Sequence, residues 1–497
     1  MKPNLSFWQE LTPARAGAVL VLAALCGCMV GPDYHRAPAL PKEAVPPAFG
    51  DPAVTNAEWK TAAPAAHLPR GAWWECFGDA ELNQLETLAT TNNQNIVAAL
   101  ANLAQARAAI NVARADLLPQ VSAGTSMNRQ RTSANTSPTS AAAGRSRTFD
   151  FFAASGDATW ELDLWGRIRR QTEGAKARFN ASADDLESSR LSIQAEVAVD
   201  YFTLRALEAQ TALLESTVTA YQRALELTQK RHNNGIATEL DVAEAETQLK
   251  SARAQIPAVQ LQGAQTRHAL AVLCGQPATT FALTPNTAAA TNLPAIPVAA
   301  PSEWLESRPD IAAAERRMAA ANADVGVARA AFYPRVLINA SGGFESIDVA
   351  TLFNWPSHVW ALGPSIQVPL FTGGRSKAQL AAIKAAYEAS IATYRQTVLA
   401  AFQDVEDQLA AQSLLARQLE EERGALVAAR RALDISNQRY KAGVEQYLDV
   451  ITAQTAVLTH ELSVAQLSGQ RLIAGVRLIK ALGAGWQAAP GAETARE

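Results

Sequence analysis

One motif occurs twice in this 497-residue chain, and that duplication limits the fold more than any other feature. Arg231-His232-Asn233-Asn234-Gly235-Ile236-Ala237-Thr238-Glu239-Leu240-Asp241-Val242 returns as Arg439-Tyr440-Lys441-Ala442-Gly443-Val444-Glu445-Gln446-Tyr447-Leu448-Asp449-Val450, with arginine, glycine and Leu-Asp-Val in register. Upstream, Val112-Ala113-Arg114-Ala115 with Pro119 recurs as Val327-Ala328-Arg329-Ala330 with Pro334, each closing a helix and opening a strand. Leu164-Trp165-Gly166-Arg167 corresponds to Leu370-Phe371-Thr372-Gly373-Gly374-Arg375. A period of roughly 200 residues is too long for a solenoid unit and suits a duplicated half. Each half reads helix, two strands, long helix, turn, helix.

The strands show as period-two alternation. Phe152, Ala154, Gly156, Ala158, Trp160, Leu162 and Leu164 alternate with Ser155, Asp157, Thr159, Glu161 and Asp163. The second half repeats the pattern with Trp360, Leu362, Ile366, Val368 and Leu370, and again with Val336, Ile338, Ala340, Gly342 and Phe344. The strand after Pro119 is less clear. Thr132 to Arg147 and Ser346 to His358 read as exposed loops. A strand of about ten residues, apolar on one side and polar on the other, is what an outer-membrane barrel requires. Such barrels need about eight strands or more. Four strands per chain therefore call for copies of the same chain, two giving about eight and three about twelve.

The helices carry the other constraint. From Arg167 to about His232 there is no proline and only Gly174 as a breaker; from Arg375 to Tyr440 there is only Gly424. Each stretch can be one helix of roughly 100 Å, longer than a globular core needs. Ile193, Val197, Leu204, Leu207, Leu214, Val218, Tyr221 and Leu225 form one stripe, and Ile383, Tyr387, Ile391, Tyr394, Val398, Phe402, Val405 and Leu409 another. Their spacing of about 3.5 residues is that of coiled-coil seams.

Residues 1–27 read as an export signal, with Lys2 and Arg15 before a short apolar stretch from Ala16 to Leu25. Leu25-Cys26-Gly27-Cys28 resembles a bacterial lipobox, which makes Cys28 the acylated mature N-terminus and the mature chain periplasm-facing. Met29 follows where an aspartate favours the inner membrane in such lipoproteins, so its presence points to the outer one. Gly31 to Pro69, rich in proline and alanine, reads as an extended tether along the protein surface. Cys76 and Cys274 remain, either as a disulfide pair or as two separate core positions.

A net charge of -3 without any basic stripe argues against nucleic acid as a partner. His35, His67, His232, His268, His358 and His460 lack metal-ligand spacing, and no glycine-rich phosphate loop or nucleophile elbow is present. An enzyme is not expected, nor a metal or dissociable cofactor beyond the covalent lipid on Cys28.

With these features the chain resembles the outer-membrane factors of tripartite efflux systems, the TolC-like channels, in their NodT-type lipoprotein branch. The resemblance is carried by Cys28-Met29-Val30-Gly31-Pro32-Asp33-Tyr34, Trp73-Trp74 with Phe77, Ser307-Arg308-Pro309-Asp310-Ile311 with Glu315, Tyr333-Pro334, Pro369-Leu370-Phe371 with Gly373-Gly374, and Tyr440 with Gly443. It implies a mainly α fold with a β membrane portion: a homotrimer whose twelve-stranded barrel continues into a twelve-helix periplasmic barrel. The corresponding division is a signal at 1–27, a lipidated tether at 28–72, a first repeat at 73–277, an equatorial linker at 278–301, a second repeat at 302–486 and a disordered tail at 487–497. Ala271 to Pro301, Trp73 to Leu85 and the region near Trp486 would form a belt midway down the helices.

By the same resemblance, the turns at Gly235-Ile236 and Gly443-Val444 lie at the periplasmic tip and dock a periplasmic adaptor protein; helix capping explains both glycines equally well. Asp241 and Asp449 suit the first turn of a returning helix. Under threefold symmetry Asp449 would also form a ring of carboxylates at the constriction. Tyr440 would hydrogen-bond toward Asp241 as a latch. Thr452 and Glu445 depart from related channels, which can carry an aspartate and a basic residue there. The expected function is a passive outer-membrane duct for drugs or other small molecules, served by the adaptor and an inner-membrane RND-type transporter; the alternative is a duct for type I protein secretion.

Overall fold

The computed structural model describes residues 29–39, 71–133, 146–284 and 308–484. After a short 3-10 turn at Trp73–Phe77, the first half runs α1 (Ala80–Asn92), α2 (Gln94–Ala115), β1 (Gln120–Arg131), β2 (Thr148–Leu162), α3 (Arg167–Asn233) and α4 (Glu239–Leu273). The second half runs α5 (Pro309–Ala330), β3 (Arg335–Ser346), β4 (His358–Gln367), α6 (Arg375–Lys441) and α7 (Tyr447–Ala481). The duplication extends to helix length: α2 and α5 each have 22 residues, α3 and α6 each 67, and α4 and α7 each 35. The helix expected before β1 is interrupted at Asn93. Its backbone is extended there, and its side-chain oxygen accepts from the Asn95 and Ile96 amides as a cap that starts α2.

The chain divides into two units. The first comprises Met1–Ala37, Leu103–Ala181 and Ala314–Thr393 and holds one antiparallel sheet in the order β1-β2-β3-β4. Its register places Val121, Ala123, Thr125 and Met127 of β1 opposite Ala158, Gly156, Ala154 and Phe152 of β2. Trp160 then faces Ile338, and Ala158 faces Ala340. Ala340 in turn faces Leu362, and Val336 faces Ile366. Because side chains alternate along every strand, these residues share one face, and Ser122, Ser126, Asn128, Asp157, Thr159, Asn339, Ser341 and Ser365 share the other. β1 is obscure in the sequence because Ala123 and Thr125 interrupt its apolar side between Val121 and Met127. Leu164, Val368 and Leu370 fall outside the strands. The chain leaves β2 in a tight turn, with the Leu164 amide bonded to the Leu162 carbonyl, and Pro369 cannot donate to a ladder. The segment between β3 and β4 is largely exposed, as expected, and contains two 3-10 turns.

Within this unit the first described residues of the tether are fixed. The Val30 amide donates to the Trp165 carbonyl at 3.0 Å, Asn322 Nδ2 to the Pro32 carbonyl at 3.1 Å, and Asp33 pairs with the buried Arg170 at 2.7 Å. A Cβ on Gly31 would lie 2.5 Å from Gly326 Cα, so glycine is needed where the tether crosses α5, while a Cβ on Gly326 would press on the Arg170 side chain at 2.9 Å. The lipidation position, Cys28, and residues 40–70 lie outside the described residues.

The second unit, Pro38–Asn102, Ser182–Ala313 and Tyr394–Glu497, is helical. Its α3 seam is formed by the residues expected: Ile193, Val197, Leu204, Leu207, Leu214, Tyr221 and Leu225 are buried. On α6, Tyr394, Val398, Val405 and Leu409 are buried likewise, with Phe402 partly so. α1 turns Leu82, Leu85, Glu86 and Ala89 inward, so an acid occupies one position of an otherwise apolar stripe. Cys76 and Cys274 are both free thiols, not a disulfide. Burial pushes each up to about 11, so both are protonated at neutral pH.

Candidate functional site at the hairpin turns

Two hairpins of the second unit end in matching turns. In the first, Gly235 adopts φ +74°, its amide donates to the His232 carbonyl, and the Ile236 amide donates to the Arg231 carbonyl, both at 2.8 Å. In the second, Gly443 adopts φ +76°, with the Gly443 and Val444 amides donating to the Tyr440 and Arg439 carbonyls at 3.0 Å. Both are Schellman-type closures of a long helix by a left-handed residue. A Cβ at either glycine would meet nothing within 4 Å, so backbone conformation alone demands glycine. Gly235→Ala and Gly443→Ala are each expected to cost about 1 kcal/mol, read by denaturant unfolding of the purified protein. Asparagine, which tolerates this region, should recover most of it. Docking loss in the asparagine variants would then report on the surface and not on the turn, separating the two roles the sequence left open.

The returning helices start differently. Thr238 caps α4 in a reciprocal box, its side chain accepting from the Asp241 amide at 3.2 Å while its own amide donates to Asp241 Oδ2 at 2.7 Å. α7 has no side-chain cap at Gln446. Asp449 is exposed, and Asp241 is half-exposed.

The hairpins lie side by side, with Tyr221, Leu225, Ala245, Leu249, Tyr447 and Val450 in one buried cluster against which Tyr440 packs. The Gln248 amide links them further, donating to the Tyr221 hydroxyl at 3.1 Å and to Thr455 Oγ1 at 3.0 Å. Tyr440 does not bond Asp241 within the chain. Its ring lies 5.3 Å from that of Tyr447 and beneath the Arg231 guanidinium at 4.4 Å, and its hydroxyl is buried with no hydrogen-bond partner. Burial raises the Tyr447 hydroxyl above the usual tyrosine range, with smaller contributions from Tyr440, Tyr221 and Asp241. The Arg231–Tyr440 contact joins motif positions quoted from the repeat, yet their meeting across two hairpins was not legible from either copy.

Each turn also presents apolar side chains to solvent at equivalent positions: Ile236 and Leu240 are 65% and 66% exposed, and Val444 and Leu448 69% and 52%. Ile236 and Val444 are marked in the sequence by the turn glycines beside them; Leu240 and Leu448, one turn further, complete each patch but lie in helical sequence, where exposure leaves no local mark. Glu445 approaches Arg439 at 3.9 Å, and the Thr452 hydroxyl donates to the Leu448 carbonyl.

A sheet with one apolar and one polar face, carried by a duplicated chain of very long helical hairpins, defines an outer-membrane channel subunit of the TolC-like kind. The chain belongs to the outer membrane efflux protein family, whose model matches residues 85–276 and 300–484, once in each half. It is 35% identical over 463 residues to the antibiotic efflux pump outer membrane protein ArpC of Pseudomonas putida, covering 93% of both chains. It is 33% identical to the outer membrane protein OprJ of Pseudomonas aeruginosa, covering 94% of this chain and 95% of that one. Among solved structures, the outer-membrane channel OprN matches with a TM-score of 0.81 and 30% identity, over 92% of this chain and all of that one. CusC matches with a TM-score of 0.78 and 27% identity over the same share. The protein is thus an outer-membrane component of an efflux pump.

Proposed function

We propose that the protein is the passive outer-membrane duct of a tripartite pump, working as a homotrimer with a periplasmic adaptor and an inner-membrane RND-type transporter and releasing drugs or other small molecules. The observation that carries this reading is the sheet. Its outer strands, β1 and β4, each have a free edge among the described residues, and a free edge in lipid leaves backbone groups unpaired at several kcal/mol each. Pairing β4 of one copy with β1 of the next satisfies both edges in a closed ring, and three copies give twelve strands. The polar face then lines a water-filled lumen, and conduction needs no chemistry from this chain. A covalent lipid on Cys28 would secure it to the outer membrane. The exposed apolar patches at the two turns are suited to an adaptor hairpin, centred on Gly235, Ile236, Gly443 and Val444.

Asp241, Tyr440 and Asp449 would govern closure at these turns. Three symmetry copies of Asp449 would attract cations into the constriction, and the Tyr440 hydroxyl, buried without a partner within the chain, would gain one from a neighbouring hairpin when the turns rearrange. Replacing Asp449 and Tyr440 by alanine is therefore expected to raise single-channel conductance and antibiotic uptake. Unchanged values of both would remove the gate from these residues. The function itself is tested by deletion: loss of the gene together with its neighbouring pump genes should sensitise cells to antibiotics, and restoring this chain alone should not rescue them without the pump.

A further inference from the structure

We propose that the first unit carries a built site for the headgroup of an anionic phospholipid of the periplasmic leaflet, in a cavity of about 700 Å³ between the start of the tether, the end of α2, the first turns of α3 and the middle of α5. The apolar wall is made by Met29, Leu117 and Leu118, and the cations at its margin are Arg114, Lys176 and Arg316. Two further charged residues line it and are already spoken for: Arg169 pairs with Asp163 at 3.3 Å, and Glu173 with Arg170 at 2.8 Å. Arg114, Lys176 and Arg316 have no ion-pair partner among the described residues, and Glu173, which shares Arg170 with Asp33, is the one carboxylate in the lining, so the cavity wall stays net positive beside hydrocarbon.

Position fixes the class of occupant. Met29 is held against the turn that leaves the sheet, where a Cβ on Gly166 would come within 2.6 Å of it. Around that turn, Trp165 Nε1 donates to the Pro334 carbonyl at 2.7 Å, Trp165 and Tyr333 stand 4.9 Å apart, and Trp160 Nε1 donates to the Leu117 carbonyl at 2.9 Å. Tryptophans with their N–H groups satisfied and a tyrosine ring beside them, at one end of an apolar sheet face, mark the level of lipid headgroups. Arg114 is the penultimate residue of α2. Lys176 lies roughly 14 Å along α3 from its start, and side chains on a helix lean toward its N-terminus, here toward the headgroup layer. A phosphate with its acyl chains fits the three cations and the apolar wall together; a free phosphate would use only the former.

This inference rests on the outer-membrane reading, and its experiment separates the two. The purified full-length trimer is equilibrated with phosphatidylglycerol or phosphatidylcholine in detergent micelles, and retained lipid is counted by native mass spectrometry. Each cation near an anionic lipid is worth about five-fold, so phosphatidylglycerol should be retained at least ten-fold over phosphatidylcholine, and the triple variant Arg114→Gln, Lys176→Gln, Arg316→Gln should lose that preference. Arg430→Gln in the second unit should keep it, as should Cys28→Ala. Equal retention of the two lipids by the unsubstituted protein overturns the site, whatever the variants do. So does a folded triple variant that still prefers phosphatidylglycerol, or a preference that emerges only in Cys28→Ala, which would assign the cavity to the chain's own lipid. Any of these with normal channel conductance leaves the duct reading standing.

Discussion

Arg205→Met should destabilise the second unit by about 3–5 kcal/mol, measured by denaturant unfolding of the purified protein in detergent. The guanidinium is 4% exposed and pairs with Glu208 at 2.5 Å and with Glu81. It also donates to the Thr284 carbonyl at 3.0 Å and lies 4.9 Å from the Tyr201 ring. Tyr201 in turn donates to Asp79 at 2.6 Å, the residue that caps α1. Removing the cation takes a shared partner from Glu208 and Glu81 and removes one tie between α1 and α3, and breaking a buried pair from one side costs in this range. Glu208 keeps Arg267 at 3.6 Å, which places the expectation at the lower end. Arg430→Met supplies the contrast. Its pair with Glu461 at 2.6 Å is more than half exposed on the arginine side, and its loss should cost less than about 1 kcal/mol.

Glu86→Leu should do the opposite and stabilise the protein by about 1–3 kcal/mol at neutral pH, the cost of a buried polar group without partners. Glu86 is wholly buried, and neither carboxylate oxygen has a hydrogen bond. Desolvation holds its pKa well above the ordinary carboxylate value. The folded chain thus keeps a proton that the unfolded chain releases near pH 4.3. Between that value and the raised folded one, the native state binds more protons, so stability falls as pH rises. Glu86→Gln, which cannot ionise, should flatten this slope while leaving most of the burial cost. An unfolding free energy with the same pH dependence in wild type and Glu86→Gln would refute the assignment.

The parts of the fold legible in the sequence were those governed by local repetition. Proline-free runs gave α3 and α6 to within a residue, because nothing interrupts a helix once its breakers are excluded. Strand alternation gave β2, β3 and β4, since bulky residues mark one face. β1 was faint because its face is built from Val121, Ala123, Thr125 and Met127, whose contrast with the polar side is low. Strand ends were overrun at Leu164, Val368 and Leu370, where turn geometry and Pro369 outweigh hydrophobicity. The turns were located by Gly235 and Gly443, whose φ requirement is local. What stacks on Tyr440 was not legible, because Arg231 reaches it from the other repeat. Glu86 was missed for the same reason: its surroundings come from residues far along the chain.

The identical helix lengths of the two halves have a consequence for how such a chain can change. Tyr221 and Leu225 of one hairpin meet Val450 and Leu433 of the other in a shared cluster. Adding one helical turn to α3 alone would carry the first pair past the second by about 5.4 Å and dissolve that contact. A longer or shorter hairpin is therefore reachable only by matched insertions or deletions in both repeats, and single indels in either should be eliminated. The duplication that built the chain also polices its length.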